Sequence, residues 1–93
     1  MLKQIGRQNM AITTEQETLA ALTSILRDLL GDNTVELTMR SVRDDVPGWN
    51  SFCYVNFIVA VEAEFGVRFG IAEVESFADV GAIVKAIDAG RAR

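Results

Sequence analysis

The sequence predicts an all-α protein: a small four-helix bundle, three main helices plus one short helix, with a long loop between helices one and two. Two observations predict the helices. Apolar residues recur at steps of three and four in separate segments, and each segment is followed by a glycine suited to end a helix. A third observation argues against a sheet, because the one weakly alternating run has no partner run elsewhere in the chain. Size agrees with one core: of 93 residues, 29 are Leu, Ile, Val or Phe, enough for the chain to collapse without cross-links.

Residues 1 to 12 mix Lys3, Gln4, Arg7, Gln8 and Asn9 with scattered apolar side chains and read as a mobile leader. Thr14-Glu15-Gln16-Glu17 has the form of a capping box, in which Thr14 accepts from the backbone three residues on while Glu17 reaches back. A first helix is therefore expected over 14 to 30, its stripe formed by Leu19, Leu22, Ile25, Leu26, Leu29 and Leu30 and its end by Gly31. From Gly31 to Asn50 the stripe is gone: Asp32-Asn33 favours a turn and Pro47-Gly48 interrupts any helix. A short strand at Val35 to Leu37 is one reading. We favour an ordered loop pinned by Val35, Leu37, Val46 and Trp49.

Ser51 is read as the cap of a second helix that runs to Phe65 and closes at Gly66. At 100° per residue, Tyr54, Phe57, Ile58, Val61 and Phe65 face a core, while Phe52, Val55 and Val59 form a second apolar strip beside Asn56, Glu62 and Ala63. So small a domain does not easily bury both strips, and the second is expected to meet a partner or ligand. Ile71 to Phe77 has room for one short helical turn. Asp79 caps a last helix with the stripe Val80, Ile83, Val84 and Ile87, and Gly90 is read as its stop. The resulting division is a leader over 1–12, a folded domain over 13–89 and a disordered tail over 90–93.

Composition excludes more than it assigns. The chain has no histidine and one cysteine, Cys53, so neither a Ser-His nor a Cys-His pair can be assembled, no internal disulfide can form and no metal site is expected. A self-contained enzyme is not expected. No apolar run approaches a membrane span and no signal segment is recognised, which points to a soluble, cytoplasmic protein without a membrane partner. Residues 14 to 90 hold all thirteen acids against five bases. Such a body repels a phosphate backbone and attracts a basic docking patch, so nucleic acid is not an expected partner.

Gly48-Trp49-Asn50-Ser51-Phe52, followed by Val61-Glu62-Ala63-Glu64-Phe65-Gly66, resembles the acyl carrier protein family, in which Asp-Ser-Leu opens a helix that closes with acids and Phe-Gly. Asp79-Val80-Gly81 is similar to the Thr-Val-Gly start of the family's last helix, so the resemblance spans about residues 14 to 88. Val46-Pro47-Gly48-Trp49 is similar to specialised carriers of secondary metabolism and dedicated acyl pathways. The resemblance implies that Ser51 receives 4'-phosphopantetheine covalently from a separate phosphopantetheinyl transferase, and that the arm then carries acyl cargo as a thioester. It further implies a monomer that an acyl- or aminoacyl-loading ligase charges and pathway synthases and transferases unload. Aminoacyl or peptidyl cargo is an alternative, and an interaction protein without the arm is another. Taken alone, Ser51 is only a helix cap; in its flanking pattern it is a modification site.

Five departures from the pattern bear on recognition. Asn50 stands where the family usually has Asp, which removes a charge that would approach the transferase's metal ion. Phe52 replaces the common Leu, Cys53 and Asn56 occupy positions that are often acidic, and Ala63 interrupts the acidic run. Partner recognition is therefore expected to lean on Phe52, Val55 and Val59, with Asn50, Asn56 and Glu62 beside them, more than on charge. Cys53 is read as inert, Trp49 as a loop anchor and Asp44-Asp45 as solvated acids.

Overall fold

The structure is a computed structural model; it describes the backbone of residues 4 to 91 and the side chains of residues 15 to 90. Four helices follow one another, α1 (Gln4–Leu30), α2 (Ser51–Phe65), α3 (Ile71–Ser76) and α4 (Val80–Arg91), with a 3-10 turn at Arg43–Asp45 inside the long loop. The described residues form no strand, and Val35 to Leu37 lies in the loop, as favoured from the sequence.

Two helix boundaries differ from expectation. α1 begins at Gln4 rather than Thr14, so the described part of the expected leader belongs to the helix, while residues 1 to 3 lie outside the described residues. The physical reason is that residues 4 to 13 contain no proline and are rich in good helix formers, so a cap-like pattern at Thr14 is no barrier to helix running through it. Likewise α4 does not stop at Gly90 but runs to Arg91, and residues 92 and 93 of the expected tail lie outside the described residues. Gly90 serves packing instead: a Cβ there would lie 3.0 Å from Val67 Cγ1, so its bare backbone lets α4 rest on the buried Val67. The stops at Gly31 and Gly66 are as read, with φ of 65° and 66°, a left-handed conformation that costs glycine little.

The core forms where the predicted stripes meet. Leu22 and Leu26 of α1, Phe57, Ile58 and Val61 of α2, and Val80, Ile83, Val84 and Ile87 of α4 bury one another almost completely. Each such side chain contributes about 1.5–3 kcal/mol on leaving water. Leu29 is the exception within the α1 stripe, 41% exposed, because the loop folds back on the Leu30 side, where Gly48 lies against it.

The long loop is anchored along its length. Val35, Leu37, Val46 and Trp49 all enter the core, and the Trp49 ring meets Phe57 edge-on at 5.1 Å. Between these anchors the backbone is held piece by piece. Asp32 accepts from the Thr34 N–H at 2.9 Å and its hydroxyl at 2.6 Å, which draws the Asp32 carboxyl below its usual pKa. Arg27 Nε donates to the Val35 carbonyl at 2.7 Å, and its Nη2 pairs with Glu36 at 3.0 Å. Asp45 accepts from the Val42 N–H at 3.2 Å at the start of the 3-10 turn, so of the two loop acids only Asp44 is simply solvated.

The same loop caps the last helix. Val80 N–H donates to the Ser41 carbonyl at 2.9 Å and Gly81 N–H to the Met39 carbonyl at 2.7 Å, while Asp79 Oδ1 accepts from Ala82 N–H at 2.9 Å, as the sequence suggested for Asp79. Three of the donors that a helix start leaves unpaired are thus satisfied. The approach is so close that a Cβ on Gly81 would sit 2.7 Å from the Met39 carbonyl oxygen. Gly81→Ala is therefore expected to destabilise the fold by about 1–3 kcal/mol through overpacking. Urea unfolding measures this, and an unchanged midpoint would contradict the close approach.

Candidate functional site

An N-cap needs extended backbone just before the first helical turn and a side-chain oxygen that reaches back to it. Asn50, not Ser51, meets both conditions: its φ and ψ are −87° and −175°, and its Oδ1 accepts from the Cys53 N–H at 2.9 Å. The expectation that Ser51 caps α2 is thereby corrected. Asparagine is among the best capping residues, and once it takes the cap the serine becomes the first residue inside the helix. Ser51 is exposed, and its hydroxyl takes no part in holding the helix start.

Along α2 the two apolar strips separate as predicted. Phe57, Ile58 and Val61 are buried and Tyr54 and Phe65 half-buried, whereas Phe52 is 78% exposed and Val55 and Val59 57% each. Asn56 is exposed beside them. Glu62 behaves differently from its neighbours: half-buried, it turns its carboxylate to the backbone N–H of Phe69 at 2.9 Å and so ties the end of α2 to the segment before α3. Ile71, at the head of α3, is 79% exposed and widens the apolar surface. The sequence offered no stripe to flag it, only an apolar residue in a helix too short to bury one.

Between α2 and α3 runs an open groove of about 560 Å³. The α2 residues along it are Ser51, Tyr54, Val55, Ile58, Val59 and Glu62. That is one face of three turns, roughly 16 Å long at 1.5 Å per residue, with Ser51 at one end and Glu62 at the other. Phe69, Ile71, Val74 and Phe77 form the opposite wall, Phe69 and Phe77 meeting edge-on at 5.4 Å. Most of the lining is apolar; the charged side chains on it are Arg43, Glu62 and Glu75.

Tyr54 shapes the mouth of the groove, a role that its place on the core stripe did not reveal. Its hydroxyl donates to the Val74 carbonyl at 2.7 Å, and the Arg43 guanidinium stands 4.8 Å from the centre of its ring. Burial raises the phenol's pKa, with Arg43 opposing in part. A half-buried tyrosine needs a partner for its hydroxyl, which favours the edge of the core over its centre. Trp49 is the anchor it was read to be. Cys53 is partly buried, and desolvation pushes its thiol upward, away from the reactive thiolate.

The bundle thus presents an exposed serine in the first turn of α2, at the head of an apolar groove. No family model and no curated protein matches the chain. Among solved structures, the holo acyl carrier protein of Geobacter metallireducens, determined in solution by NMR, is 32% identical with a TM-score of 0.75, the match covering 82% of this chain and 87% of that one. The chain belongs to the acyl carrier protein family. It is a carrier protein in the general sense.

Asn50→Ala is expected to cost about 1 kcal/mol by removing the cap. Asn50→Asp keeps the cap and adds a carboxylate at the positive end of α2, a gain of about 0.3–1 kcal/mol at neutral pH. Since the helix holds that carboxylate's pKa below its unfolded value, the gain is present above the unfolded pKa and vanishes as pH falls through the folded one. Thermal unfolding of both variants checks the order Asp above Asn above Ala at neutral pH and the loss of the advantage of Asp over Asn at acid pH.

Proposed function

We propose that the chain is a freestanding carrier that holds acyl intermediates as thioesters on a 4'-phosphopantetheine arm attached to Ser51, in the cytoplasm, for a fatty-acid-like, polyketide or other specialised pathway. One observation carries the reading. The Ser51 hydroxyl is released from helix capping by Asn50 and stands exposed at the end of an apolar groove. These residues fit the arm: the serine offers an accessible oxygen for the phosphodiester, and the start of α2 is a favourable place for the added negative charge. When attached, the arm supplies the thiol on which cargo is carried.

The chain's own residues do the rest. Ile58, Val59, Phe69 and Val74 give the groove walls that suit an aliphatic chain better than a charged aminoacyl group, which favours acyl cargo. Phe52, Val55 and Val59, with Asn50 and Asn56 beside them, form the face offered to the phosphopantetheinyl transferase, the loading ligase and the pathway enzymes. Recognition there is led by apolar contact, because the face carries fewer acids than the family pattern. Glu62, tied to Phe69, contributes its charge from the edge of that face. Asn50 keeps its oxygen on the helix start, so the transferase is expected to depend on contacts other than a carboxylate at this position.

The test is intact mass before and after incubation with coenzyme A and a broad-specificity phosphopantetheinyl transferase. One addition to wild type, abolished in Ser51→Ala, is the expected result; no addition with several transferases would overturn the reading in favour of an interaction protein without the arm. Val59→Asp is expected to keep its fold, read by circular dichroism, yet in an assay of cargo transfer to a partner enzyme to be roughly tenfold slower, the effect of about 1.4 kcal/mol of lost docking. Transfer at the wild-type rate would remove Val59 from the docking face.

A further inference from the structure

Resting on the reading that Ser51 bears the arm, we infer that Arg43 is a positioning residue whose guanidinium pairs with the phosphodiester on Ser51 and sets the arm across the mouth of the groove.

The first support is placement. Arg43 opens the 3-10 turn of the long loop and lines the same groove as Ser51 and Tyr54, so a residue eight positions away in sequence is brought to the modification site by the fold. Its guanidinium carbon lies 4.8 Å from the centre of the Tyr54 ring. That ring is itself fixed, its hydroxyl on the Val74 carbonyl and its plane tilted against Trp49 at 6.2 Å. A guanidinium stacked on an aromatic face keeps its N–H fork free at the edges, where it can meet phosphate oxygens in a bidentate pair.

The second support is charge. Arg43 makes no ion pair among the described residues, although two acids follow it directly; Asp45 turns back to the Val42 N–H instead. Arg43 is also the one basic residue among those lining the groove, where the other charges are Glu62 and Glu75. Glu62 already holds the Phe69 N–H and, like Glu75, repels an anion. A phosphodiester joined to Ser51 adds a negative charge to a body with thirteen acids and five bases. Arg43 is the lining side chain that offsets it. Arg40 and Arg68, exposed elsewhere, do not line the groove and serve as internal comparisons.

The experiment compares unmodified and modified full-length protein, each confirmed by intact mass, in wild type, Arg43→Gln, Arg43→Lys and Arg40→Gln. On modification of wild type, the Arg43 Nε–Hε NMR signal is expected to move and that of Arg40 to stay. The change in melting temperature on modification, taken within each variant so that loss of the Tyr54 stack cancels, is expected to be about 2–4 °C less favourable in Arg43→Gln than in wild type or Arg40→Gln. Salt should narrow that gap, and Arg43→Lys should restore part of it. A confirmed addition with an unmoved Arg43 signal and the same change in Arg43→Gln would overturn the pairing and leave the arm on Ser51 intact. Failure of wild type to take up any mass would instead overturn the Ser51 reading, and the pairing with it.

Discussion

Two backbone carbonyls of the long loop, those of Met39 and Ser41, accept the first N–H groups of α4, and much of the molecule depends on that junction. A helix start buried without partners is costly, so α4 can dock its stripe only where the loop presents those oxygens. The loop in turn is placed by four apolar anchors in the core, the last of which, Trp49, immediately precedes the Asn50 cap of α2. One segment thus fixes the start of α4, the start of α2 and the position of Ser51. Gly81 is required by this arrangement for lack of space rather than for backbone freedom, since the Met39 oxygen occupies the place of a side chain.

Stability is distributed unevenly around the groove. α1, α2 and α4 share the buried cluster, whereas α3 has six residues and none of them fully buried. It is held at its edges, by the Tyr54 hydroxyl on Val74, by Glu62 on Phe69 and by the pairing of Phe69 with Phe77. Segments with few buried contacts open at lower free energy than the core. Among the described helices, α3 is therefore expected to open at lower free energy than α1, α2 and α4.

Much of this was legible in the residues. The stripes of α2 and α4 and the exposed strip of Phe52, Val55 and Val59 follow from helical spacing, because one face of each helix must leave water; the four loop anchors were legible as large apolar residues in a mostly polar loop. Boundaries were less legible. Nothing in Thr14 to Glu17 says whether helix precedes it, and a glycine such as Gly90 has the same one-letter appearance whether it ends a helix or admits a neighbour. The cap of α2 was misplaced by one residue because Asn50 and Ser51 are both good caps, and only the backbone geometry before the helix decides between them. The contributions of Arg43 and Tyr54 to the groove come from tertiary contacts between a loop and a helix, and no local pattern carries that information.

The central physical claim is that the loop and the helix start of α4 form one rigid unit with the core, so that Ser51 is held in place before any partner arrives. Amide hydrogen exchange on the unmodified protein tests it directly. The N–H groups of Val80 and Gly81 are expected to exchange as slowly as that of Phe57 in the core, only when the whole fold opens. Fast exchange at Val80 and Gly81 while α1 and α2 remain protected would contradict it, and would mean that the carbonyls of Met39 and Ser41 do not hold the bundle together.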